Sequence, residues 1–326
     1  MDPPPSDDEL YRQGSQYRLW SFTRQGLQDA RQAVNQQGRE KIKREHAGVP
    51  PPDGPTQPRG EFPSVEDEAE LVRWYAERTL SLTQSAWKLP SHARATAVSY
   101  VKRFYLRHSV MEFLPKAIMY TSIFLATKAE NIFISIENFV EPVKTDIDAH
   151  TILALEFTVA QALSFTLLVH HPYNPVHGYF LDMQDVFFNR AASGGKPRYS
   201  MNELGNAHDA ARRFVNDSML SDAAFLYTPP QIGLAALAHA DEALAEAYMV
   251  AKFGGSEELL ERLRVVVAGV RECVLAAVLR LGSVSFTRSR ELEEMVVQCR
   301  PLRTRKRRLT GGTAGDDRRR ALRGGV

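Results

Sequence analysis

The sequence predicts an all-α protein of two helical units in tandem, with an extra helix on each flank. Three observations carry this. At 326 residues the chain has room for two domains of ordinary size plus tails. Apolar residues recur through the body at three- and four-residue spacing, with almost no strand-like alternation. An apolar helix opened by proline occurs twice: setting Pro115 against Pro229 aligns Ile118 with Ile232, Ile123 with Leu237 and Ala126 with Ala240 without a gap. Helical cores converge on Ile, Leu and Ala, so the match suggests duplication without proving it.

The elements follow in order. Residues 1–16 are acidic, polar and Pro-rich and are expected to be disordered. A helix is expected within 17–47, where Leu27, Ala30 and Val34 mark a narrow apolar face among Gln, Arg and Ala. Residues 48–62 hold a cluster of prolines and read as a linker. The first unit spans 63–168. Ser64 caps its first helix, whose opening turn carries Glu66, Asp67 and Glu68 where free N–H groups favour negative charge. The next helix, Ala93 to about His108, places Ala97, Val101, Phe104, Tyr105 and His108 on one face. In the third, Ile118, Met119, Ile123, Phe124, Leu125 and Ala126 surround the axis, so it must be central. Ser135 and Asp148 cap a short fourth helix and a longer fifth, the latter with Ile152, Leu153, Leu155, Val159, Ala160 and Leu163 as its apolar positions.

Residues 169–200 read as a connection, apolar and then rich in His, Pro and Asn, with a Gly-containing loop at 191–197. The second unit is expected over 201–284. It opens with Leu204, Ala207, Ala211, Phe214 and Val215 on one face and ends in a long helix patterned by Leu259, Leu260, Leu263, Val267, Val270, Val274 and Val278. A last helix fills 285–300, and a basic tail, expected to be disordered, fills 301–326.

Composition narrows the function. Hydrophobic residues at 44% and charged residues at 25% fit a globular protein with a sizeable core. A formal net charge of +2 argues against a body that binds nucleic acid through a strongly basic surface. Cys273 and Cys299 lack the spacing of a zinc site or a disulfide framework, which fits a reducing compartment. No apolar run reaches the length of a membrane span, and the N-terminus does not read as a signal peptide. His170, His171 and His177 lack helical metal-ligand spacing, and no nucleophile elbow, phosphate loop or kinase motif occurs. No catalytic group, metal or cofactor is therefore expected.

Two charges sit oddly. Lys128 ends the apolar helix opened by Pro115, and Glu156 lies inside the apolar run Leu153 to Val159. Both can point to solvent from exposed faces. They can also face each other at a groove rim, offering donors and an acceptor to a partner's backbone.

The run YVKRFYLRHSV at Tyr100 to Val110, followed by FLATK at Phe124 to Lys128, resembles the first box of the cyclins. LEFTVAQALSFTLLVHHPYNP at Leu155 to Pro175, FLYTP at Phe225 to Pro229 and SQYRLWSF at Ser15 to Phe22 resemble the H type in particular. The resemblance implies two tandem five-helix cyclin folds with flanking N- and C-terminal helices. It implies a non-catalytic activator of a cyclin-dependent kinase, of the CDK-activating type, with Lys128 and Glu156 at the centre of the kinase contact. Helical spacing adds Leu125, Phe157 and Ala160 to that contact, although ordinary core is an equal reading for Leu125. Further implied partners are a third assembly factor and the core of general transcription factor TFIIH, in the nucleus, with polymerase II C-terminal phosphorylation as the activity served. Neither a small-molecule substrate, a membrane nor direct sequence-specific nucleic-acid binding is expected. The neighbouring possibilities are a C-type transcriptional cyclin and a cyclin-fold initiation factor. The first helix, ELVRWYAERTL, departs from the pattern with which cell-cycle cyclins dock substrates, and Asn131 stands where an acid is usual. The basic run RPLRTRKRR at 300–308 reads as a solvated tail or a nuclear-import signal.

Overall fold

The computed structural model describes residues 7–47, 61–143, 145, 147–189, 199–283 and 286–300, all of them in helices, turns or coil. The linker 48–60, the loop 191–197 and the tail 301–326 lie outside the described residues. In the first unit, α4 (Val65–Ser85), α5 (Ser91–Phe104), α6 (Pro115–Ala129), α7 (Ile136–Val140) and α8 (Ala149–Ala162) close around one core. Helix α6 is buried on nearly every side, because it is apolar all round and can satisfy its backbone internally. Ser64 and Asp67 cap α4 reciprocally, Ser135 caps α7 and Asp148 caps α8, each accepting from a backbone N–H that lacks a helical partner.

The expectations for the N-terminal segment and for the connection need correction. Residues 7–16 are helical: α1 (Asp7–Gln13) and α2 (Ser15–Trp20) precede α3 (Arg24–Ala47). Long-range partners hold them. Gln16 exchanges two hydrogen bonds with the His170 backbone, at 3.1 and 2.7 Å, and the fully buried Trp20 lies under the guanidinium groups of Arg103 and Arg107. The supposed connection 169–200 contains α9 (Tyr173–Gln184) and a π-helical turn, Asp185–Asn189. The prolines there act as openers, since Pro172 and Pro175 occupy the start of α9, where no intrahelical N–H is required. Tyr173, Val176 and Met183 join the second core, so that unit begins well before residue 201. It continues through α10 (Met201–Leu220), α11 (Ala223–Leu226), α12 (Pro229–Ala240), α13 (Glu242–Phe253) and α14 (Glu257–Ser283). Like α6, α12 opens with proline at its first turn and is buried along most of its length.

The helix expected to run to His108 ends at Phe104, and turns carry the chain on to His108. Leu153 on α8 and Leu259 and Val278 on α14 are exposed, because the apolar stripe of each helix is wider than the core it meets.

The flanking helices meet on the first unit. Helix α15 (Phe286–Gln298) inserts Leu292 and Val296 into the first core, and Glu293 accepts from Tyr75 Oη at 2.5 Å. Helix α3 crosses nearby: Asn35 and Arg39 donate to the Pro63 carbonyl at 3.0 and 2.7 Å, and a Cβ on Gly38 would approach Ser109 Cβ to 2.5 Å. Only glycine allows that approach. Beneath α3 the buried Glu68 accepts from Ser109 Oγ, with Asn35 and Arg39 of α3 and Glu112 beside it.

Burial pushes the Glu68 carboxyl up to about 7, against partial opposition from Ser109, Asn35 and Arg39. The folded chain thus holds a proton that the unfolded chain releases near the usual carboxylate range, and stability falls as pH rises through that interval. Melting of the wild type is expected to lose about 2 kcal/mol between pH 5 and 7.5, and Glu68→Gln to abolish that slope. Equal slopes in the two proteins would show that Glu68 is ionised throughout.

Candidate partner-docking face

Lys128, in the last turn of α6, and Glu156, in the middle of α8, form an ion pair with Nζ to Oε1 at 2.6 Å. The side chains are 42% and 23% exposed, so the pair is neither buried nor free in water. Lys128 Nζ also lies 4.4 Å from the Phe124 ring centroid, a cation–π contact that orients the ammonium. An ammonium has three donors and a carboxylate two acceptor oxygens, so each partner keeps capacity for an incoming backbone.

Exposed apolar residues lie on the same helix as Glu156 and in the turn that follows it. On α8, Leu153, Phe157 and Ala160 recur at four and three residues on one face; Leu153 is 46% and Phe157 67% exposed, and Ala160 is half-buried. Phe165 (61%) packs its ring 5.8 Å from that of Phe157, and Leu168 follows at 69%. Leu125, expected here as a contact, is 6% exposed and belongs to the first core, since α6 is covered on nearly every side until its last turn. It supports the face without forming it.

Sequence reading did not single out Phe165 and Leu168, which lie at the end of the first unit just before the expected connection at 169. Ser164 and Phe165 both take left-handed backbone, at φ of 53° and 55°, a conformation that non-glycine residues rarely adopt. That turn ends α8 and throws Phe165 outward beside Phe157. The segment is held from behind: Trp20 Nε1 donates to Thr166 Oγ1 at 3.1 Å, Tyr100 Oη to the Leu167 carbonyl at 2.5 Å, and Gln16 brackets His170. The N-terminal SQYRLWSF segment therefore braces the turn that carries Phe165. A signal was available in residues 165–169, apolar but for Thr166 and too apolar for an ordinary solvated connection.

The departure at Asn131 has a physical role. Asn131 takes φ of 58° and ends α6, donating to the Lys128 carbonyl at 3.2 Å, while Ile132 donates to Thr127 at 2.8 Å. Glu130 turns inward and accepts from Thr96 Oγ1 at 2.6 Å. Thr96 also lies 2.7 Å from His171, which burial and nearby Arg103 hold neutral, down to about 3. Among the described residues no cluster of three or more His, Cys, Asp or Glu could hold a metal ion, and no helix is long and apolar enough to cross a membrane.

Residues 63–168 match the family described as cyclin, N-terminal domain, and residues 171–300 match the cyclin C-terminal domain. Cyclin mcs2 of Schizosaccharomyces pombe is 34% identical over 248 residues, covering 75% of this chain and 73% of that one. The chain belongs to the cyclin family. Cyclin CCL1 of Saccharomyces cerevisiae is 38% identical over 259 residues, 77% of this chain but only 63% of the length of that cyclin. Among solved structures, this cyclin resembles a chain of the CAK complex from Chaetomium thermophilum bound to ATP-gamma-S, with a TM-score of 0.80 and 26% identity over 96% of this chain and 99% of that one. A chain of the yeast TFIIK (Kin28/Ccl1/Tfb3) complex matches with a TM-score of 0.65 and 34% identity, over 81% of this cyclin and all of that chain.

Proposed function

We propose that this cyclin is the regulatory subunit of a CDK-activating kinase, binding and activating a cyclin-dependent kinase without a catalytic site of its own. The observation that carries the reading is the Lys128–Glu156 pair, whose Glu156 shares α8 with the exposed Leu153 and Phe157, the latter with the Phe165 ring beside it. Apolar area supplies affinity there, and the half-exposed charges fix register. The likeness to cyclins of CAK and TFIIK supports the choice of kinase class. Activation works by population shift. A kinase is competent when the glutamate of its C-helix pairs with the lysine that holds ATP phosphates, and a cyclin that binds only that inward position stabilises it by its differential affinity. The kinase, a third assembly factor and the TFIIH core are the partners in this reading, polymerase II C-terminal phosphorylation the activity served and the nucleus the compartment.

Tagged chain drawn from nuclear extract is expected to bring down a cyclin-dependent kinase, and Lys128→Ala combined with Glu156→Ala to lower the kinase recovered about tenfold. Recovery of no kinase overturns the function; undiminished recovery by the double variant overturns the site.

A further inference from the structure

Arg103 on α5 is a buried cation without a counter-ion. It is 4% exposed, and burial lowers its guanidinium only to about 10, so it is charged at neutral pH. Its terminal nitrogen Nη1 is buried and has no hydrogen-bond partner among the described residues. The groups that act on its charge are the phenols of Tyr100 and Tyr11, both held protonated by burial, and no carboxylate is among them. Glu130 bears on Tyr100 but is taken up elsewhere: it accepts from Thr96 Oγ1 at 2.6 Å and lies 3.9 Å from His92 Nε2. The Trp20 ring offers its face to Arg103 at 5.2 Å, but it serves Arg107 as well, at 5.3 Å. Arg103 lines a cavity of about 20 Å3 together with Gln16 of α2, Lys102, His171, and Met219 and Ile232 of the second unit. Lys102 adds no free charge there, since the Met219 and Ser221 carbonyls accept from it and Asp222 acts on it. His171 is kept neutral by burial and next by Arg103, so it supplies no negative charge and registers the positive field at this place.

A charge taken out of water is costly unless an opposite charge or a full set of hydrogen bonds meets it. We infer that this cavity binds a single-atom anion, chloride in ordinary solutions, against the Arg103 guanidinium. Size selects the occupant. A water needs about 10–15 Å3, so the cavity takes one monatomic ion but not a phosphate or a carboxylate-bearing molecule. Water accepts a hydrogen bond from Nη1 and leaves the charge uncompensated, whereas chloride accepts the bond and balances the charge. The anion sits where α2, α5 and the second unit meet, a site that the unfolded chain does not possess. Its binding therefore stabilises the fold in proportion to its concentration, by mass action.

Thermal unfolding of the full chain tests this, with sodium chloride raised from about 1 to about 200 mM and sodium gluconate holding the ionic strength, and so the screening, constant. Gluconate is too large for the cavity. The melting temperature is expected to rise by about 3 °C or more with chloride. Arg103→Gln is expected to abolish the rise, and Arg107→Gln, which removes an exposed guanidinium from the same indole, to keep it. Crystals of the wild type grown in sodium bromide are expected to show an anomalous peak within hydrogen-bonding reach of Arg103 Nη1, a readout that does not depend on whether Arg103→Gln folds. A melting temperature indifferent to chloride, a rise that survives in Arg103→Gln or vanishes in Arg107→Gln, or a water in place of the bromide overturns the inference.

Discussion

Replacing Phe157 with Ser is expected to weaken binding of the purified kinase subunit thirty- to hundredfold, about 2–3 kcal/mol, and to leave the melting temperature of the free chain within about 1 °C. The two readouts separate because of where the ring sits. At 67% exposed, Phe157 contributes little to the core, so its loss costs the free fold little. If this face docks the kinase, the same ring, with Phe165 at 5.8 Å and next in sequence to Glu156 of the ion pair, is the kind of exposed aromatic that serves as an anchor. Surface plasmon resonance against the purified kinase measures the first effect, and calorimetry of the free chain the second. Unchanged affinity would mean that the docking face lies elsewhere. A drop in melting temperature by several degrees would mean that Phe157 packs in the fold instead.

Much of this face was legible in the sequence, and the part that was not has a definable cause. Lys128 and Glu156 were visible as charges interrupting apolar helices, and their pairing required only that α6 and α8 pack side by side. Phe157 and Ala160 followed from helical spacing. Leu125 obeys the same spacing and is buried, because periodicity gives the angle around an axis but not which neighbour covers that angle. Phe165 and Leu168 depend on two consecutive left-handed residues, Ser164 and Phe165, neither of them a glycine or asparagine that would have announced the turn. Helices α1 and α9, and the first residues of α2, were lost for the opposite reason. Their composition is that of loops, and contacts far along the chain, such as Gln16 with His170 and Met183 within the second core, override local preference.

Replacing Lys102 with Met is expected to cost the fold about 3–5 kcal/mol and to lower its melting temperature by roughly 10 °C. Lys102 lies on α5 of the first unit, fully buried, and its ammonium donates to the Met219 carbonyl at 3.0 Å and to that of Ser221, at the C-terminal end of α10 in the second unit. Carbonyls there have no helical partner and form the negative pole of the helix, so a cation is suited to the position. The ammonium also lies 5.1 Å from the Phe225 ring centroid and, with Arg31 and Arg73, helps keep Asp222 ionised. Methionine fills the volume but strands both carbonyls, and leaving a buried acceptor unpaired costs more than the hydrogen bond itself is worth. Burial lowers the Lys102 ammonium to about 8, so between that pH and the ordinary lysine value the unfolded chain holds more protons than the folded one. Stability of the wild type therefore gains relative to the variant as pH rises through that window, by roughly 3 kcal/mol at most. Urea titrations of both proteins at pH 7 and pH 9.5 read the two effects. A difference below about 1 kcal/mol at pH 7 would mean that water satisfies the stranded carbonyls. The cavity of about 20 Å3 lined in part by Lys102, Arg103 and Met219 has room for one molecule, so the size of the loss reports whether the contact between the two units is dry.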